Sequence, residues 1–339
     1  MYRCSKWLFL IKNRKMSTLY IPNSVALRNF DAIFTNNTFD FSDKKIRISF
    51  HNNYVALHPV GLAFYAAIAD IIRANNCDYS ASIKRSIPSI PYLQRMGLFK
   101  VLGFSNPIET QEHEETGRFI PLTKIRSSEE LDSFMRRIDP ILHTTRNNSR
   151  VIKHVFSEIL RNVIEHSQSQ YGGNVCATYN RKRKKISIGI SDAGIGLQNS
   201  LARSHKVLSC QDAIIKALTP GVSGVTSRIG GNSENAGAGL FFTKCIAQST
   251  KNHFLIYSGD SYYKLKLSKG ELDQFCSDPT EDRCTIKSNL PYFQGTLVGI
   301  DIHIEDNEAF NNLITNIGQA YAASIKQSKK DYYSRIKFK

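Results

Sequence analysis

The chain has 339 residues, 41% hydrophobic and 22% charged, which excludes wholesale disorder and leaves room for two domains. A formal net charge of +16 admits nucleic acid, anionic lipid or an acidic protein as partner without choosing among them. Cysteines at positions 4, 77, 176, 210, 245, 276 and 284 show no Cys-x-x-Cys pair and no zinc-ligand spacing, so they read as reduced thiols of a cytoplasmic protein.

In chain order, the apolar stretch Trp7 to Ile11 is followed at once by Lys12, Arg14 and Lys15. It is too short for a signal core or a membrane span, so no membrane association is expected, and residues 1–20 read as an N-terminal extension. Lys45 to Phe50 alternates polar and apolar side chains and predicts a strand with one buried face. Pro59 suits a first helical turn, and residues 60–74 carry a broad apolar stripe. A second alternating run from Tyr79 to Lys84 and a short helix from Pro91 to Leu98 complete a β-α-β-α pattern, whose helices should pack on a sheet. With Leu57-His58-Pro59-Val60-Gly61 ahead of the first long helix, residues 21–125 resemble a STAS domain, the fold of anti-sigma factor antagonists. The resemblance implies a small α/β domain that meets a protein partner. The Ser or Thr that this family phosphorylates in the loop is replaced here by His58, Pro59 and Val60, so no phospho-switch is expected there.

Residues 126–148 read as a linker helix and loop: Ser127 and Glu130 form a capping box, and Asp139-Pro140 should break the helix near Arg137. A long helix is predicted from Ser149 to Ser167, with Val151, Ile152, Val155, Phe156, Ile159, Leu160, Val163 and Ile164 on one arc. Strands follow at 174–180 and 185–191, joined by the basic run Arg181 to Lys185, which reads as a solvated hairpin tip. A glycine-punctuated stretch contains a helix at 211–218. A helix at 239–249 and strands near 253–257, 262–267 and 295–304 complete an α+β sandwich with a mostly antiparallel sheet. Residues 306–339 read as a C-terminal helix and basic tail.

Glu158, Asn162 and His166 recur every fourth residue and form one row along the predicted helix. The row borders the apolar arc and then enters it, so Asn162 needs a polar partner or costs about 1–3 kcal/mol. A Mg²⁺ ion held by Asn162, with water activated by Glu158, would satisfy both. Next, a strand ends in Asp192, after which Gly194 and Gly196 let the backbone turn close to a flat ligand. A carboxylate at that point can accept from the exocyclic amine of adenine. Further on, Gly230-Gly231 through Gly237, Gly239 and Leu240 lead directly into a helix, whose free N–H groups suit phosphate oxygens.

In this order and spacing the segments resemble the N, G1 and G2 boxes of the GHKL ATPase superfamily over residues 149–305. The resemblance implies a C-terminal Bergerat-fold α/β sandwich that binds ATP and Mg²⁺. It makes Glu158 the general base and Asn162 the Mg²⁺ ligand, puts Asp192 on adenine and Gly194 and Gly196 on the pocket floor, and places Gly237, Gly239 and Leu240 at the end of a lid spanning about 198–236. Thr296, in Gln294-Gly295-Thr296, would assist Asp192 through a water, and His166 resembles the basic or histidine position of related kinases. The function implied is a Mg²⁺-dependent, lid-gated ATPase that acts as a regulatory switch on a protein partner through the STAS-like domain. An anti-sigma-type serine/threonine kinase is the alternative, and a MutL- or gyrase-like nucleic-acid ATPase ranks below it. A homodimer is left open. Ser223, Thr226, Ser227 and Arg228 are candidate phosphate contacts in the lid, Lys244 reads as a surface lysine, and His113-Glu114 and Tyr332-Tyr333 carry little.

Overall fold

The computed structural model describes residues 17–37, 45–84, 86–105, 119–142, 146–224, 238–267, 275–303 and 307–336. Expectations placed on 1–16, on His113 and Glu114, and on Thr226, Ser227, Arg228, Gly230, Gly231 and Gly237 lie outside them.

The chain opens with β1 (Ser17–Ile21), β2 (Ser24–Val25), a 3-10 helix (Leu27–Phe34), β3 (Lys45–Phe50), β4 (Ala56–Leu57), α1 (Pro59–Ala74), β5 (Asp78–Ser82), α2 (Ile90–Arg95) and α3 (Leu98–Val101). Strands β1, β3 and β5 form a parallel sheet in that order, and β2 pairs with β4. Helix α1 starts where expected: the His58 side chain accepts from the Val60 N–H, and Pro59 occupies the first turn. It is buried on nearly every side, as a helix apolar all round must be.

The remainder comprises β6 (Phe119–Ile125), α4 (Ser128–Leu142), α5 (Arg146–His166), β7 (Gly173–Asn180), β8 (Lys185–Asp192), α6 (Gly196–Leu201), α7 (Cys210–Leu218), α8 (Gly239–Ser249), β9 (Phe254–Gly259), β10 (Ser261–Leu265), β11 (Cys284–Lys287), β12 (Phe293–His303) and α9 (Asn307–Ile336). Its strands make a seven-stranded antiparallel sheet in the order β11-β10-β9-β12-β8-β7-β6. The protein is therefore mixed α and β around a large antiparallel sheet. Strand β6, read as the end of the first domain, pairs here with β7. The expected linker helix α4 contributes Leu131, Phe134 and Ile138 to a core and sets Phe134 edge-on to Phe156. It runs on to Leu142 instead of stopping before Asp139-Pro140: a proline near a helix end removes one donor, but its fixed φ is compatible with a last turn.

Both faces of the large sheet are covered. On one face Leu255, Tyr257, Tyr262, Phe293 and Leu297 join a core with α1, the 3-10 helix, β1 and β3. On the other, Ile186, Ile188, Ile190, Phe254, Ile256, Tyr263, Val298 and Ile300 pack with α4, α5 and α8. Successive residues thus go to opposite cores, as a period of two requires. Gly189 and Gly299 stand directly opposite one another on β8 and β12 and make room for the start of α1. A Cβ at Gly189 would lie 2.1 Å from the Pro59 carbonyl oxygen, and one at Gly299 would lie 2.5 Å from Val60 Cγ2.

Polar contacts seat α1 further. Ser191 Oγ donates to the Ala63 carbonyl at 2.6 Å, Cys176 Sγ to that of Pro59 at 3.4 Å, and Asn174 Nδ2 to Asp70 at 2.9 Å. Asp70 also pairs with Lys124 at 2.5 Å. At the far end of the sheet Asp301 meets His58 Nε2 at 2.9 Å, Lys185 Nζ at 2.7 Å and Ser187 Oγ at 2.5 Å. Burial alone would raise the Asp301 pKa, but the hydrogen bonds from these three groups hold it well below the usual carboxylate range. Residues 181–184 form an exposed turn, as the basic run implies. Among the described residues no helix is long and apolar enough to cross a membrane.

Candidate functional site

The second face of the large sheet is not filled throughout. Between α5, α8, α6 and the ends of β8 and β12 lies a cavity of about 280 Å³. Helix α5 supplies Glu158, Asn162 and His166, because residues four apart share one face. The end of β8 supplies Asp192, the start of α6 supplies Gly196, the start of α8 supplies Gly239 and Leu240, and β12 supplies Thr296. These positions, singled out from four separate stretches of sequence, meet around one space. Ile159, Val163, Ile190, Leu197, Leu201 and Val298 make the rest of the wall largely apolar.

Asp192 is 2% exposed and has no cationic partner among the described residues. Burial pushes its carboxyl up to about 7, and backbone N–H bonds from Gly194 and Thr296 only partly offset this. The Gly194 N–H lies 2.8 Å from Oδ1. Gly194 itself does not line the cavity: it packs against the end of α5, where a Cβ would lie 2.0 Å from the Ser167 carbonyl oxygen. The Ser167 carbonyl also accepts from the Ile195 N–H at 2.8 Å, which fixes the turn below Asp192 to the helix carrying Glu158. Thr296 stands beside Asp192 and bonds it through its backbone.

Across the cavity, α8 starts against Glu158. A Cβ at Gly239 would lie 2.9 Å from Glu158 Cβ and 2.5 Å from its Oε2, so a larger residue there would push the Glu158 side chain from its place. Glu158 lies 3.9 Å from Arg161, and Arg161 lies 4.0 Å from Glu165. His166 Nε2 is 3.8 Å from Glu165. Asn162 and Glu158 offer hard oxygen donors on one wall, a set that suits Mg²⁺ when phosphate and water complete the shell. Among the described residues no cluster of three or more His, Cys, Asp and Glu could hold a metal by itself.

Other wall residues had not been picked out from the sequence. His154, one helical turn before Glu158, lines the cavity with a buried Nε2 that has no hydrogen-bond partner among the described residues. Burial lowers its pKa, opposed by the Glu158 charge. Its ring meets Phe242 edge-on at 5.7 Å. The signal was present: His154 extends the every-fourth-residue row upstream by one step. Arg161, also in the wall, has no such periodic mark. Ser223, one of the lid positions already named from the sequence as a candidate phosphate contact, also lines the cavity and is 5% exposed.

Lys244 is not a surface lysine. It is 0% exposed and pairs at 2.5 Å with an equally buried Asp282, which also accepts from Gln248 at 2.9 Å and Tyr263 at 2.7 Å. The counter-charge comes from a loop 38 residues away, which helix periodicity cannot reveal. The pair clamps the helix whose first residues face Glu158.

No protein-family model and no curated protein sequence matches this chain.

Proposed function

We propose that the chain binds ATP with Mg²⁺ in this cavity through a Bergerat-type pocket and turns it over slowly as a lid-gated, regulatory ATPase. The observation that carries this reading is the meeting of Asp192, Gly196 and Thr296 with Glu158, Asn162 and Gly239 around one largely apolar cavity. Asp192 would accept the adenine amine; its buried, unpaired carboxyl is the acceptor that such a base would complete. Asn162 would hold Mg²⁺, which would supply charge neutralisation at the phosphates. Glu158 would take the proton of the attacking water. Gly239 and Leu240, at the N-terminus of α8, would face phosphate oxygens.

The regulatory part of the proposal rests on β8. Asp192 and Ile190 face the cavity while Ser191 and Gly189 hold α1 from behind, so a shift of this strand on nucleotide binding is felt directly by the N-terminal, STAS-like region. That region is the proposed route to a protein partner. The test is an assay of the purified chain that follows ATP, ADP and phosphoprotein together, with and without Mg²⁺. Wild type should release ADP only with Mg²⁺. Glu158→Gln should keep ATP binding and lose turnover by about 10²–10⁴-fold. Turnover at the wild-type rate in Glu158→Gln removes Glu158 as the base, and label passing to an added STAS protein instead of water moves the reading to a kinase.

A further inference from the structure

A polyphosphate brings several negative charges, and one Mg²⁺ cancels only part of them. The wall that would receive them already carries the Glu158 carboxylate, so a cation is needed nearby. Among the described residues that line the cavity, Arg161 is the one lysine or arginine. Its guanidinium is 48% exposed and lies 3.9 Å from Glu158 and 4.0 Å from Glu165, both at the outer limit of ion pairing. Neither carboxylate grips it in the two-bond fork that this group prefers. At about 100° per residue, Arg161 lies on the solvent side of the row Glu158, Asn162, His166, at the mouth of the cavity. It is therefore placed to meet a charged ligand that enters past Glu158.

We infer that Arg161 recognises the terminal phosphates of the bound nucleotide and leaves Glu158 to do so. In the empty cavity Arg161 partly neutralises Glu158 and Glu165. Incoming phosphate oxygens are stronger, bidentate acceptors and draw the guanidinium away. Glu158 is then left as an unpaired carboxylate beside the attacking water, which strengthens it as a proton acceptor. Recognition of the third phosphate and arming of the base are one movement of one side chain.

The inference rests on the adenine-nucleotide reading and is separable from it by calorimetry on the full chain in Mg²⁺ buffer, with adenosine, ADP and ATP as probes. Arg161→Gln should weaken ATP by about tenfold to thirtyfold, as expected for loss of a hydrogen bond to a charged group, and leave adenosine within about twofold. ADP should fall in between. Arg161→Lys keeps the charge without the fork and should lose less, about threefold on ATP with adenosine unchanged; it carries the test if the glutamine variant does not fold. Arg161 variants that bind ATP like wild type, or that lose adenosine as much as ATP, overturn the role of Arg161 while the nucleotide reading stands. A wild-type chain that binds none of the three overturns both.

Discussion

Asp192 and Asp301 sit on neighbouring strands of the same sheet, both almost fully buried, and their surroundings are opposite. Asp301 is surrounded by His58, Lys185 and Ser187 and is held ionised. Among the described residues Asp192 meets only backbone N–H groups, and burial pushes it up to about 7. The first carboxylate is completed by the fold itself and fastens the N-terminal region to the sheet. The second is left short of partners on the face where the cavity opens. A buried charge is costly unless paired, so the unpaired one marks where the protein expects something else to supply the pairing.

The contrast can be broken at either end. The largest effect is expected from Asp301→Ala, which strands Lys185 and His58 around an empty site and should lower the unfolding free energy by about 3 kcal/mol, the low end for a buried pair because Lys185 keeps some solvent contact. Urea titration reads this directly; a change below about 1 kcal/mol would place the network among surface ion pairs of little weight. Gly189→Ala should cost about 1–3 kcal/mol, because the new methyl meets the Pro59 backbone and α1 must move. If its stability matched wild type, α1 would not be held where it is drawn.

The smallest expected effect concerns pH. Asp192 has a pKa raised to about 7, so the folded chain holds a proton that the unfolded chain releases above about 4. Its contribution to stability is full at low pH and is lost as pH rises through about 7. Asp301 runs the other way, contributing above the ordinary carboxylate range and losing that contribution as pH falls below it. Asp192→Asn should therefore gain stability relative to wild type between pH 5 and pH 8, as followed by thermal unfolding at each pH; a constant difference would remove the raised pKa. Ionised Asp192 is also the form that accepts from adenine, so wild-type ATP affinity should weaken about tenfold from pH 8 to pH 6. In Asp192→Asn binding should be weak and without this step. A step of equal size in the variant would assign it to the cavity histidines.

Much of this arrangement was legible in periodicity. The α5 row, the β7–β8 hairpin and the α8 start are amphipathic or punctuated by glycine, and each appears where the spacing put it. The 3-10 helix at Leu27–Phe34 and strand β11 were not foreseen, because short elements leave too few repeats to show a period. The pairing of β6 with β7 is a long-range choice that no local window contains. Arg161 looked like any helix arginine: its place at the cavity mouth depends on how α5 is rotated against α8 and the sheet. Lys244 misled for a related reason, since its partner Asp282 belongs to a distant loop.

The seating of α1 on Gly189 and Gly299 also bears on how the chain is made. His58 waits for Asp301, 243 residues later, and Asp70 waits for Asn174, 104 residues later. At synthesis rates of about 5–20 residues per second, the first of these delays is on the order of ten seconds or more. Throughout it, a helix that is apolar on nearly every side lacks the large sheet that covers one side of it. Contacts so far apart in sequence slow folding and lengthen exposure to aggregation. The nascent N-terminal half is thus a natural client for chaperones, and a fragment lacking it would carry the sheet face of Leu255, Tyr257, Tyr262 and Leu297 into water.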